Sequence, residues 1–233
     1  VDNIRVIIMS ELTLKQEVCG YYKIEILRET GELETVADWF PNLITNGGMN
    51  RRAGYSDYLL YCQVGTGNTT PSFDDTQLAS KIAHSSSATI NSGRSSSAPY
   101  YSQTTKVFSF SAGAATGNLS EVGVGWLSSG GLSSRALILD GSGNPTTITV
   151  LSSESLYVTY QLRLYAPTSD VTGSVSLDGV TYNYTSRAAM TTESGGWFAY
   201  VNELETQTTS CWVYTGAIQG VTSRPNGTEL QAS

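Results

Sequence analysis

His84 is the only histidine in the 233-residue sequence, so a Ser/His/Asp or Cys/His nucleophile system could draw its base from nowhere else. No GxSxG turn exists to activate a serine, and no motif around Cys19, Cys62 or Cys211 would activate a thiol. His84 therefore reads as a solvated residue opening a serine-rich loop. Zinc needs clustered His and Cys ligands, which the sequence does not offer. Asp74 and Asp75 could hold Ca²⁺ or supply half of a glycosidase carboxylate pair; adjacent carboxylates shortly after Pro71 are more simply a turn or capping pair. Glu203 and Glu205 alternate with Leu204 and so share one strand face, as a solvated face would. The stretch from Gly65 to Gly67 lacks the third glycine, the lysine and the following helix of a phosphate loop, and reads as a turn. No catalytic, cofactor-binding or metal-ligating residue is assigned on these grounds.

Aromatic residues are the better lead to a binding site. Trp197, Tyr200, Trp212 and Tyr214 crowd the C-terminal part, where an exposed indole could stack on a sugar ring while polar neighbours bind its hydroxyls. The alternative is that they fill a small core. A second candidate set concerns contacts between chains: Ile4, Val6 and Ile8 on a strand near the start, and Tyr157, Arg163 and Tyr165 on one side of a later strand.

Those residues need elements to position them, and strand signals dominate. In the segment 154–165 (ESLYVTYQLRLY), Leu156, Val158, Tyr160, Leu162 and Leu164 occupy every second position. This alternation predicts an apolar face for a core, and an opposite face of Tyr157, Thr159, Gln161, Arg163 and Tyr165 whose residue types are enriched in interfaces. Asp178-Gly179 predicts a two-residue hairpin turn with Leu177 opposite Val180 and Val175 opposite Tyr182. Residues 22–27 and 32–36 form another hairpin around Glu29–Gly31, and a short helix follows over 49–55. Further strands are expected at 58–64, 106–111, 120–126, 135–139 and 146–151. Residues 84–102 (HSSSATINSGRSSSAPYYS) have almost no apolar periodicity and are expected to be a long loop. No long amphipathic helix appears. The predicted fold is all-β: an antiparallel β-sandwich over 41–167, an N-terminal hairpin or arm over 1–40, and a smaller C-terminal β domain over 168–233.

Composition narrows the function. The net charge is −7 with no Lys/Arg run, which excludes the clustered cations of a nucleic-acid binder. The apolar run Val6–Met9 is too short for a leader or a membrane span, so neither secretion nor membrane insertion is expected. Three scattered cysteines suggest buried thiols in a reducing compartment rather than a disulfide framework.

Several stretches taken in order are similar to a family of virion structural proteins of tailed bacteriophages: 39–48 (WFPNLITNGG), 64–71 (VGTGNTTP) with 75–79 (DTQLA), 117–126 (GNLSEVGVGW), 134–140 (SRALILD) and the strand 154–165. Together they cover about residues 20–166. The resemblance implies a tail, baseplate, neck or fibre-type component of the virion, made in the host bacterial cytoplasm, with copies of itself and other virion proteins as partners. It implies no catalytic residues. A module that binds a host-surface glycan or receptor, a capsid decoration protein and a depolymerase are the alternatives, and the last would need a carboxylate pair the sequence does not offer.

Overall fold

Side chains that alternate along the sequence become two facing sheets in the computed structural model, which describes residues 17–95, 97–165, 170–177, 179–186, 213–214 and 229–230. The first sheet runs in the order β2 (Leu33–Pro41), β1 (Glu17–Leu27), β12 (Ser155–Tyr165), β7 (Tyr101–Phe110) and β6 (Ala88–Arg94). The second runs β3 (Leu43–Ile44), β10 (Leu132–Leu137), β9 (Glu121–Gly125), β4 (Tyr61–Gly65) and β5 (Lys81–Ser85). Every pairing is antiparallel. A small ribbon joins β8 (Gly117–Leu119) to β11 (Ile148–Val150). The all-β fold expected from the alternation is what the chain adopts.

The central strand β12 shows why. Leu156, Val158, Tyr160, Leu162 and Leu164 are each no more than 2% exposed. They pack with Tyr22, Ile24, Ile26, Phe108 and Phe110 of their own sheet, with Cys62, Val64, Val122, Val124 and Ala136 of the other, and with Ile138 just past β10. Burial of each large side chain contributes about 1.5–3 kcal/mol. Polar contact also crosses this core, where Tyr22 Oη and Ser134 Oγ lie 2.6 Å apart. Burial pushes the Cys62 thiol pKa up. Cys62 and Cys19 are free thiols, Cys62 buried as expected and Cys19 only half-buried.

The first hairpin turns where Gly31 takes φ +85°, a region that favours glycine, and its N–H donates to the Arg28 carbonyl at 2.9 Å. The described part of the expected N-terminal arm is not separate from the sandwich. β1 pairs with β12 along its whole length, from Glu17 opposite Tyr165 to Leu27 opposite Ser155, and residue 40 falls inside β2. The expected loop over 84–102 is also corrected. Residues 88–94 form β6, paired along their length with β7, while His84 lies on β5 opposite Gln63. A strand of Ser, Thr and Asn at a sheet edge buries little, so it carries no apolar alternation to read.

The helix α1 (Asn46–Arg52) starts earlier than its expected 49–55, because Thr45 caps it by accepting a bond from Gly48 N–H at 3.0 Å. Beyond the sandwich, β13 (Val171–Leu177) and β14 (Val180–Ser186) pair in the predicted register, with Leu177 opposite Val180 and Val175 opposite Tyr182. Gly179 has φ +80°, as the turn requires. Two short strands, β15 (Val213–Tyr214) and β16 (Glu229–Leu230), pair with each other.

Candidate functional site

Polar side chains converge in two places on the sandwich, and their chemistry differs. The first lies on the outer side of the second sheet. Glu121, fully buried on β9, accepts Gly67 N–H at 3.0 Å and Ser80 N–H at 2.6 Å on Oε1, and Ala79 N–H at 3.0 Å on Oε2. Arg135 on β10, 2% exposed, donates to Glu121 Oε2 from both Nε (3.1 Å) and Nη2 (2.8 Å). Its Nη1 reaches Asp75 Oδ2 at 2.6 Å, and Nη2 also reaches Thr69. Asp75 Oδ2 accepts Ser72 N–H at 2.8 Å as well, and Asp74 accepts from Asn46 at 2.9 Å.

Both oxygens of Glu121 are committed to backbone N–H groups and a guanidinium, so the group neither abstracts a proton nor attacks a substrate in this arrangement. Its effect is to fasten residues 66–80 across the outside of the second sheet. Gly67 must be glycine for this approach, since a Cβ there would sit 2.4 Å from Glu121 Oε1. The pair Asp74 and Asp75, a candidate for metal or glycosidase chemistry by type, lies in a turn closed by Asp75 N–H on the Ser72 carbonyl at 3.1 Å and caps no helix; Asp75 is instead the second acidic partner of Arg135.

The second convergence is the outer face of the first sheet. The register lays three rows across β1, β12 and β7: Tyr21, Gln161 and Thr105; Cys19, Arg163 and Gln103; Glu17, Tyr165 and Tyr101. Gln161 Nε2 donates to Thr105 Oγ1 at 3.1 Å, and Arg163 Nε donates to Gln161 Oε1 at 2.7 Å. The guanidinium carbon then lies 5.1 Å from the Tyr21 ring centre and 4.6 Å from that of Tyr101. Tyr101 and Tyr165 rings are 5.4 Å apart at 59°.

Each cation–π contact at such a site contributes about 0.5–1 kcal/mol, so the arginine is held in place before any partner arrives. Desolvation first, and then Tyr165, raise the Tyr21 phenol pKa. Desolvation and the neighbouring Glu17 raise that of the Cys19 thiol. The result is an ordered patch of phenols around one arginine. It has the chemistry of a protein-contact surface, rich in Tyr and Arg, rather than of a cleft that encloses a small molecule.

Compared with models of known protein families, with characterised proteins and with solved structures, the chain matches none. Its site must therefore be read from its own residues. Of the expected contact residues, the structure brings Arg163 and Tyr165 together, while Tyr157 lies toward the other end of β12, opposite Glu25 and Ser109. Ile4, Val6 and Ile8 lie outside the described residues, as do Trp197, Tyr200 and Trp212. Tyr214 is on β15, opposite Glu229. Sequence reasoning missed Tyr21 and Tyr101. Tyr21 could have been found, because it falls out of phase with the alternating Tyr22, Ile24 and Ile26 and so had to face outward. Tyr101 lay in the stretch read as loop.

Proposed function

We propose that this chain is a non-enzymatic structural component of a tailed-phage virion, of tail, baseplate, neck or fibre-associated type, that works as a subunit of a symmetric homo-oligomer. The observation that carries the assembly part is the outer face around β12, the central strand of the first sheet, where Tyr21, Tyr101, Arg163 and Tyr165 are pre-ordered into one patch. Pre-ordering lowers the side-chain entropy lost on docking, and Tyr and Arg are the residue types that dominate contact energies. The engaged state of Glu121 and Asp75 supports a framework role for the most buried charges. The virion part of the reading rests on the ordered resemblance of residues 20–166.

Modest contacts repeated by symmetry give a stable particle, so a weak pairwise interface suffices. Sedimentation of the purified chain over a wide concentration range tests the assembly: an oligomer that weakens at least tenfold in Arg163→Ala/Tyr165→Ala supports it, and a strict monomer overturns it. Quantitative mass spectrometry of purified phage particles tests the virion role, which predicts a fixed, stoichiometric copy number.

A further inference from the structure

The edges of the two sheets are finished differently. β2 meets β1 with register shifts between Tyr22 and Ile24 and between Ile24 and Glu25, carries Glu34 and Asp38, and ends at Pro41. Bulges, charges and proline all discourage a further strand. On the other sheet, β3 has two residues, and β5 has five with Lys81 and a register shift between Val64 and Gly65. β6 has neither bulge nor proline, and its one charge, Arg94, stands at its last residue. Its seven residues (ATINSGR) pair with β7 without interruption, and among the described residues no strand lies beyond it. Ile90, in its middle, is 56% exposed.

Which backbone groups face outward follows from the flanking bonds. Ser109 N–H donates to the Ser87 carbonyl at 2.9 Å, and Ser95 N–H donates to the Tyr101 carbonyl at 2.8 Å. Antiparallel pairing alternates, so Thr89, Asn91 and Gly93 turn their backbone groups toward β7 while Ala88, Ile90 and Ser92 turn theirs to the open edge.

We propose that β6 is a self-association edge, on which a second copy of this chain lays its own β6 antiparallel about a two-fold axis centred on Ile90. That register puts Ile90 opposite its counterpart, Ala88 opposite Ser92 and Thr89 opposite Asn91. Outward N–H and C=O groups then meet outward groups, and the first sheets of the two copies become continuous with their outer faces on one side. The segment suits its own copy because it is self-complementary: apolar meets apolar, and the one charge in β6, Arg94, falls opposite Ser86, so no like charges meet. This inference rests on reading the chain as a self-assembling subunit and supplies one contact for it. A strand pair of this length buries less than the roughly 1,200 Å² of a standard interface, so the dimer depends on concentration and gains from further contacts.

The test is sedimentation equilibrium of the full chain, with Ile90→Pro and Ile90→Lys beside it. Proline at position 90 removes an N–H that points away from β7, so the β6–β7 ladder survives while the edge loses a donor. Association weakened at least tenfold by both variants, with an unchanged far-ultraviolet circular dichroism spectrum, supports the edge. If Ile90→Pro does not fold, Ile90→Lys, which keeps the backbone, decides. An oligomer that ignores both variants but yields to Arg163→Ala/Tyr165→Ala overturns the edge and leaves the assembly reading standing. A wild-type chain monomeric at every concentration overturns both. Slow hydrogen exchange at Ile90 and Ser92 in monomeric protein would show the edge filled by the chain itself, which also overturns the proposal.

Discussion

Replacing Glu121 with glutamine changes few atoms and removes one charge, yet the geometry makes it severe. Oε1 takes the N–H groups of Gly67 and Ser80, and Oε2 takes Ala79 N–H and two guanidinium nitrogens of Arg135. An amide offers only one oxygen, so whichever way it turns its NH₂ faces donors. Arg135, 2% exposed, is left with Asp75 as its only acidic partner in the network. Removing one member of a buried ion pair costs about 3–5 kcal/mol, and an orphaned buried N–H costs about 1–3 kcal/mol within that total rather than on top of it. With about 2–4 °C of Tm per kcal/mol at this chain size, the expected fall is roughly 6–20 °C. Urea unfolding followed by tryptophan fluorescence measures the loss. Hydrogen exchange locates it, with the amides of Gly67, Ala79 and Ser80 accelerating before those of β12. The double variant with Arg135→Met should lose less than the sum of the two single variants, because the second change removes the charge stranded by the first. A Glu121→Gln protein within about 1 kcal/mol of wild type, or with those three amides as protected as before, would refute the reasoning.

Three further outcomes are expected. Gly67→Ala forces a Cβ to within 2.4 Å of Glu121 Oε1 and 2.5 Å of Ala79 Cβ, and should cost about 1–3 kcal/mol in the same urea assay. Glu154 is held below its ordinary 4.5 by Leu151 N–H first and then by Arg28, and Asp140 below 3.8 by the N–H groups of Asn144 and Ser142. Because both folded-state values are depressed, their contribution is complete above the unfolded values and is lost as pH falls through the folded ones; Glu154→Gln should flatten that acid limb in thermal melts at stepped pH. Cys62, fully buried with its thiol pKa raised, should react with a thiol reagent only as fast as the protein unfolds, while half-buried Cys19 should react in the native state and faster as pH rises.

The strands that bury one face could be read from the sequence because burial imposes a period. Leu156 to Leu164 show it, and the hairpin of β13 and β14 shows it together with a turn that accepts positive φ. Elements without a buried face could not be read this way. β6 consists of small polar residues at an edge, so nothing in its pattern separates it from a loop until β7 is seen beside it. The buried charges were equally hidden, because Arg135 reaches Glu121 and Asp75 across separations of 14 and 60 residues. A clue existed in Glu121 itself, a lone carboxylate in the otherwise uncharged run 117–126, where a charge must be neutralised if the strand is central. Burial of Thr159 and Gln161, each 7% exposed on the outward side of β12, was likewise out of reach, since it depends on long neighbours from β1 and β7.

Glu17 and Tyr165 stand side by side at one end of the same ladder, so one corner of the first sheet holds both the start of β1 and the end of β12. Tension applied between these two residues would open the β1–β12 ladder one rung at a time from that corner, whereas a pull from opposite ends would have to slide all eleven residue pairs at once. The direction of a load, and not only its size, would then set how firmly these two strands hold.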